Sequence, residues 1–434
     1  MKMKFLVLMA VIVCWKPIFL NANSSYEDAV AKFNSATGAF KIEYNQLLAY
    51  RGIKKKQQQN IDLNYVREAL KDYPQDTMIL FYKYRSDKSL DIWAVSEKVF
   101  GWETVKDNKQ ILSNSQDKLR KRILLDVLKN GRVPKRRGAV EPDFDDVKSL
   151  SVGELTESLS NELLPGDISK ALAYAKHLVV VPVGSIGTVP FSMLSRKGSD
   201  KLLIEEMSMQ IAPSMIDAVK PPSKSLGGKI ESRPLVIGNP VYANDPIWEL
   251  PDLPGAKKEA TAVAKLLGTT ALTGKQADEK SIRAKIENAS LLYFATHGIA
   301  DPESPMDNSF IAVAPTGESD GRWTLREIMQ SKLTDVDVVV LSACQTGLGR
   351  SMSGGTVNLA RAFTLAGAEK VVMSLWSIED TATATLMDDF MSRYHEQGQS
   401  VPQALRSAML ALKKTRKDPL FWAPFVTFGG RAEY

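Results

Sequence analysis

The sequence predicts an α/β fold with a mainly parallel central sheet, and three observations carry that expectation. From about residue 150 onward, short continuous apolar runs recur at 177–183, 234–238, 290–296, 309–314, 337–343 and 370–375. Strands that are apolar on both faces belong inside a sheet covered on both sides. Helical patterns separate several of these runs, at 255–267, 278–288, 324–331, 355–367, 379–396 and 402–415. Buried strands alternating with helices are the signature of βαβ units and a parallel sheet. The third observation is composition: 44% hydrophobic and 24% charged residues are ordinary for a chain that buries a real core.

The 434 residues suggest two or three compact units. Residues 1–22 read as a secretory signal peptide: Lys2 and Lys4, an apolar run from Phe5 to Trp15, then a polar break with cleavage near Ala22. The apolar run is too short to span a bilayer, so no membrane span is expected once it is removed. Val13 is not the small residue that a lipoprotein site wants before its cysteine, here Cys14. The expected location is outside the cytoplasm, periplasmic or secreted, and cytoplasmic only if the leader stays uncleaved. Residues 23–150 read as a helical and β-rich region. A polar helical stretch at 24–60 ends in "RGIKKKQQQN", and the run from Thr77 to Val105 carries partial alternation around the turn "RSDKS". An amphipathic helix at 108–130 follows, and then the exposed loop "GRVPKRRGAVEPDFDD". Residues 151–434 form the main unit, and no repeat of fixed period is present.

Charge excludes one class of partner. The formal charge is +6, and losing Lys2, Lys4 and Lys16 with the leader lowers it by three. That is too weak an excess to argue for nucleic acid, and no nucleic-acid-binding motif is present. Leader removal leaves Cys344 as the sole cysteine, so neither an internal disulfide framework nor a multi-cysteine zinc site is available. The chain has no P-loop, "HExxH" or dinucleotide fingerprint, the "VGSIG" and "GNP" turns being isolated and weak signals, and neither metal nor organic cofactor is expected.

Functional groups of an open parallel sheet gather beyond the carboxyl ends of its strands. "SLLYFATHG" runs a buried strand into His297 and Gly298, and "DVVVLSACQTG" runs another into Cys344, 47 residues later. If the two strands are parallel neighbours, both groups emerge on the same edge. An imidazole beside a thiol accepts its proton or stabilises the thiolate. The amides of Gly298 and Cys344 are candidate oxyanion donors. Pattern alone leaves a second reading open, in which His297 caps a strand and Cys344 is a buried core thiol. His177 reads as a packed or edge residue before a strand, and His395 as a residue suited to a helix C-terminus.

The motif "SACQTG", with its histidine upstream, parallels the caspase pattern of a cysteine motif with a histidine ~50 residues before it. The ordered set "LVVVPVGSIGTVPFSML", "LPGAKKEATAVAKLL", "LLYFATHG", "VVVLSACQTG", "NLARAFTLAGAEKVVMSLWSIEDTATATLMDDF" and "PLFWAPFVTFG" resembles the CHAT family, caspase-like domains first described alongside tetratricopeptide repeats. The resemblance covers at least 150–430. It implies a caspase-like three-layer fold of the caspase–separase clan, preceded by a smaller, pseudo-caspase-like part. It also implies a catalytic dyad, with His297 and Cys344 at the matching positions. Many members open the helix after the cysteine with Gly-Glu-Gly. Here "SMSGGTVNLARAF" keeps Gly354 and Gly355 without the acid, which leaves the shape of the substrate cleft open.

In "SLWSIEDTATA" the related separase pattern places an acid in the pocket for a basic residue before the scissile bond. Asp380 is the better positional match and Glu379 its neighbour, with Trp376 as a wall. The alternative is that both acids favour the N-terminus of the helix that begins there and that Trp376 is core. A basic preference would make Lys135, Arg136 and Arg137 in "RVPKRRG" a site of self-cleavage, against the plain reading of a solvated loop. The resulting expectation is a cysteine endopeptidase acting on a protein or peptide substrate, cleaving after a basic residue. The alternatives are a non-catalytic caspase-like interaction module and a latent protease switched on by a protein partner.

Overall fold

A computed structural model describes residues 18–20, 25–37, 61–106, 108–130, 135–136, 143–219, 233–301, 304–343, 350–352, 355–357, 359–377 and 379–430. One 12-stranded sheet runs through the molecule. In chain order its strands are β1 (Ile18–Leu20), β2 (Thr77–Tyr84), β3 (Leu90–Val95), β4 (Val99–Val105), β5 (His177–Val181), β6 (Ser208–Ile211), β7 (Pro234–Pro240), β8 (Leu272–Gly274), β9 (Leu291–Thr296), β10 (Val338–Ala343), β11 (Lys370–Ser374) and β12 (Phe425–Gly429). Across the sheet the order is β1-β4-β3-β2-β5-β6-β12-β11-β10-β9-β7-β8.

Two blocks of opposite direction meet in this order. From β11 outward to β8, every neighbouring pair is parallel. The pair β12–β11 is antiparallel, whereas β12, β6, β5 and β2 run parallel to one another. The meander β2–β3–β4 is the hairpin-rich stretch expected around "RSDKS". Three residues inside the expected leader, Ile18–Leu20, pair with Val99–Gly101 on β4.

Strands β9, β10 and β11 of the second block are buried along their length, as continuous apolar runs require. Their side chains alternate between two cores. On β10, Val338 and Val340 face one core while Val339 and Leu341 face the other, and on β9 Leu291 and Tyr293 oppose Leu292 and Phe294. Such a side chain contributes roughly 1.5–3 kcal/mol on leaving water. A one-residue register slip would exchange the two sets, so the pairing is strongly specified.

Helices complete the three layers. The first core takes helices α3 (Asn108–Asn130), α4 (Val152–Leu163), α5 (Gly166–Leu172), α6 (Pro254–Leu266), α10 (Asp380–His395) and α11 (Val401–Thr415); the second takes α7 (Glu279–Ile286), α8 (Leu325–Gln330) and α9 (Leu359–Ala366). A third core packs α1 (26–37) and α2 (Leu63–Leu70) on the other face of the N-terminal strands, around Phe33, Phe81 and Trp93. Their starts are legible in local chemistry: Ser151 and Thr324 form capping boxes with Glu154 and Glu327, Asp278 caps α7, and Pro254 opens α6. None of the described helices is long and apolar enough to cross a membrane.

Three local expectations change. The run 309–314 leaves the main sheet: Phe310–Ala312 is the middle strand of a small antiparallel sheet between Gly298–Ile299 and Arg322–Thr324. The helix expected at 355–367 begins only at Leu359, because Gly355–Val357 pairs with Arg350–Met352 as a hairpin. Glycine followed by two β-branched residues is a poor helix start and a good strand. The polar stretch expected to be helical at 24–60 has helix at 26–37, and 38–60 lie outside the described residues.

Candidate active site

Strands β9 and β10 are parallel neighbours, in register from Leu291↔Val338 to Thr296↔Ala343. The next residue in sequence is His297 on one strand and Cys344 on the other. Cys344 lies outside the described residues, so the geometry of the site is built from the histidine side.

The backbone at His297 is clamped to the small antiparallel sheet through Ala312. Thr296 Oγ1 donates to Ala312 O at 2.9 Å, and Ala312 N donates to His297 O at the same distance. That bond makes His297 and Ala312 a hydrogen-bonded antiparallel pair. The following pair, Gly298↔Ile311, is therefore a non-hydrogen-bonded one, and the Gly298 N–H points away from its partner strand. Gly298 is buried, and its amide is not consumed by the ladder.

The imidazole is fully buried, and its Nε2 lies 2.7 Å from Pro251 O. A carbonyl only accepts, so Nε2 carries the proton and Nδ1 holds the lone pair. Nδ1 has no hydrogen-bond partner among the described residues. Burial lowers the His297 pKa from 6.5 to about 4, against smaller raising effects of the Pro251 carbonyl and the Asp252 carboxylate. The ring is thus a neutral base at ordinary pH, with the acceptor nitrogen unshared. Tyr242 packs beside it, ring centroids 4.8 Å apart at 50°, and its hydroxyl lies 3.3 Å from Thr296 Oγ1.

The loop that carries Pro251 is held on both sides of that residue. Asn239, the penultimate residue of β7, has φ 42°, a left-handed conformation that asparagine tolerates. Its Oδ1 accepts from Leu253 N and its Nδ2 donates to Asp252 Oδ1, both at 3.0 Å. Further up the loop, Asp245 accepts from the backbone of Ile247 and Trp248 at 2.8 Å and pairs with Arg322 of the small sheet. Sequence reading missed Asn239, Tyr242, Pro251 and Asp252. The one available signal was the "GNP" turn at the end of an apolar run, read there as an isolated glycine turn.

The acids of "SLWSIED" stand at the start of the helix that follows β11, the neighbour of β10. Glu379 is the residue before α10, its carbonyl accepting from Thr383, and its carboxylate lies 3.6 Å from Arg416. Asp380 opens α10, and its side chain lies outside the described residues. Trp376 is 7% exposed and donates from Nε1 to Leu420 O at 3.0 Å, a core arrangement, while one face lines a cavity beside Ser377. The loop "RVPKRRG" contributes a two-residue strand: Lys135↔Glu249 and Arg136↔Trp248 pair antiparallel on the loop that carries Pro251. His177 is half-buried with Nδ1 2.7 Å from Ser208 Oγ, and His395 ends α10.

A strand-end histidine with a free Nδ1, next to a strand that runs into "SAC", accords with the family whose model matches here: the CHAT domain, over residues 153–430. The chain belongs to the CHAT domain family. Two curated relatives of this CHAT chain are tetratricopeptide repeat protein 28 of Mus musculus and of Homo sapiens. They are 26% identical over 296 and 297 residues, and each match covers 58% of this chain. The aligned stretch is 12% of the length of either relative. Among solved structures, the Saccharomyces cerevisiae separase–securin complex at 3.0 Å matches with a TM-score of 0.59 at 11% identity, over 95% of this chain and 34% of that one. The 2.6 Å structure of the same complex gives 0.50 at 12% identity, over 95% and 35%. At such identities the likeness is one of fold, and it makes the α/β architecture caspase-like.

Proposed function

We propose that this CHAT chain is a cysteine endopeptidase in which Cys344 is the nucleophile and His297 the general base. One observation carries the reading. The Pro251 carbonyl fixes the His297 proton on Nε2 and leaves a buried, neutral Nδ1 without a described partner, where β9 and β10 end side by side. In the reaction, the Cys344 thiol gives its proton to Nδ1 and the thiolate attacks the peptide carbonyl. The amides of Gly298 and Cys344 hold the resulting oxyanion. The protonated imidazole then gives its proton to the leaving amine, and water hydrolyses the acyl-enzyme with the same base. The substrate is a protein or peptide. A preference for a basic residue rests on Asp380, because the Glu379 carboxylate already lies near Arg416.

The test is covalent labelling with electrophilic peptide probes. The expected result is labelling of the wild-type chain, none in Cys344→Ala and a drop of a hundredfold or more in His297→Ala. No Cys344-dependent labelling across a broad probe set would overturn the reading in favour of a non-catalytic module.

A second reading, a latent peptidase released by processing or by a partner, has its own observation: the Lys135–Arg136 strand is docked two residues upstream of Pro251. N-terminal sequencing of wild-type and Cys344→Ala protein tests it. A cut near Arg136 in the wild type alone supports self-processing, and identical intact chains end it.

A further inference from the structure

A cavity of about 720 Å³ opens where α3 packs over residues 188–190 and over the segment that follows β11. That volume lies within the range of small-molecule and peptide side-chain sites. Its buried walls are mainly apolar, Leu119, Ile123 and Val127 from α3, then Val189, Pro190 and Trp376, whereas the exposed Asn114, Asp117, Lys118, Arg120 and Asp146 and the half-buried Lys121 also line it. Three buried polar side chains interrupt the apolar walls: Thr188, whose Oγ1 donates to Ser185 O, and Gln116 and Ser377, each only 4% exposed. The Gln116 Oε1 accepts the Ser185 hydroxyl, which orients the amide and leaves Nε2 as its open end. Neither Gln116 Nε2 nor Ser377 Oγ has a hydrogen-bond partner among the described residues. Buried donors of this kind are rare in folded proteins and ask for an acceptor.

The position of the cavity says what the acceptor belongs to. Ser377 and Trp376 follow β11, whose last residue, Ser374, donates from Oγ to Ala343 O at 2.6 Å, one residue before Cys344 in sequence. An occupant therefore lies against the segment that is hydrogen-bonded to the root of the proposed nucleophile.

We propose that this cavity is a specificity pocket of the peptidase, taking an apolar side chain that flanks the scissile bond, with a substrate backbone carbonyl accepting from Gln116 Nε2. The proposal rests on the endopeptidase reading for its choice of a peptide. Glu379 is not among the residues that line the pocket, the charged lining residues are exposed or half-buried, and the buried walls select by shape and desolvation. A polar or charged side chain in it would lose its water against Leu119 and Trp376 and gain one or two hydrogen bonds in return.

The experiment uses the full chain carrying Cys344→Ala, so binding is read without turnover. Fluorescein-labelled hexapeptides with Leu or Phe at one scanned position are compared by anisotropy with Ser at the same position. The expected result is at least tenfold tighter binding for Leu or Phe at one position. That preference is lost when Leu119→Trp fills the cavity and falls severalfold in Gln116→Leu, with both variants shown by thermal melting to be folded. Equal binding of the Ser peptides, or an undiminished preference in both variants, overturns the pocket. Decanoate that binds more tightly than any peptide, and loses its binding in Leu119→Trp, assigns the cavity to an acyl chain and also overturns it. Labelling of Cys344 in the wild type is read separately. A chain that labels but shows no apolar preference loses only the pocket, and one that shows the preference but never labels loses only the catalysis.

Discussion

Asp245 Oδ2 accepts from Arg322 Nε at 2.6 Å, with Nη2 at the same distance, and so ties the loop that holds His297 to the small sheet that begins at Gly298. The Asp245 side chain is 2% exposed, so removing the guanidinium takes the close counter-charge from a buried carboxylate. Its two backbone donors offset part of that cost. Arg322→Ala is expected to destabilise the chain by about 3 kcal/mol in urea unfolding and to slow Cys344 labelling beyond the loss of folded protein. A stability unchanged within error would show that the pair is not what holds the loop.

The pH dependence has a definite sign. His297 is buried with its pKa lowered to about 4, against 6.5 for the free side chain. Below 6.5 the unfolded chain takes up a proton that the folded one refuses, so stability is lost as pH falls from 6.5 towards 4 and is fully present above that window. The contribution is on the order of 3 kcal/mol. Urea unfolding of wild type and His297→Gln should converge as pH falls across this range, relative to their difference at pH 7. The acid limb of labelling should fall well below the usual histidine range; a limb near 6.5 would mean that the ring is more hydrated than its burial implies.

Ser374→Ala removes the donor to Ala343 O. Ala343 has a further interaction, so the expected loss of stability is only about 1 kcal/mol. The informative readout is Cys344: peptide-probe labelling should slow severalfold, while alkylation of the denatured chain stays unchanged. Equal probe rates would separate the end of β11 from the reactive segment.

Gly238 sits on β7 against α6, where a Cβ would overlap that of Ala260 and lie 3.1 Å from Ala256 O. Gly238→Ala should cost about 1–3 kcal/mol through overpacking and lower the melting temperature by a few degrees. Adding Ala260→Gly should recover part of the loss, and strict additivity of the two would refute the steric account.

The second block of the sheet was legible because β9, β10 and β11 are apolar on both faces, and a parallel sheet asks for that pattern. The positions of His297 and Cys344 after such runs followed from the same rule. What lay beyond sequence were short or composite elements. β6 and β8 are too brief to show a period, and "PFVTFG" gave no hint that β12 would insert between distant strands. The support of the imidazole is a backbone carbonyl, and a carbonyl has no residue signature. The acids after β11 were readable as either pocket or cap, since a helix start and an anion site use the same residue types; the salt contact to Arg416 depends on how α11 ends, far along the chain.

Because β12 fills the place between β6 and β11, Ile211 finds its neighbour in Phe428, and the two blocks share a strand that is synthesised after both of them. Neither block is a separable folding unit. A fragment ending before Phe425 would present two facing, bare strand edges, each able to recruit the missing strand from another copy. Such fragments are expected to exchange strands or aggregate rather than yield a folded half. During folding, the sheet edge that carries His297 acquires its lateral support only when this long-range closure is made, the slowest class of contact for a chain to find.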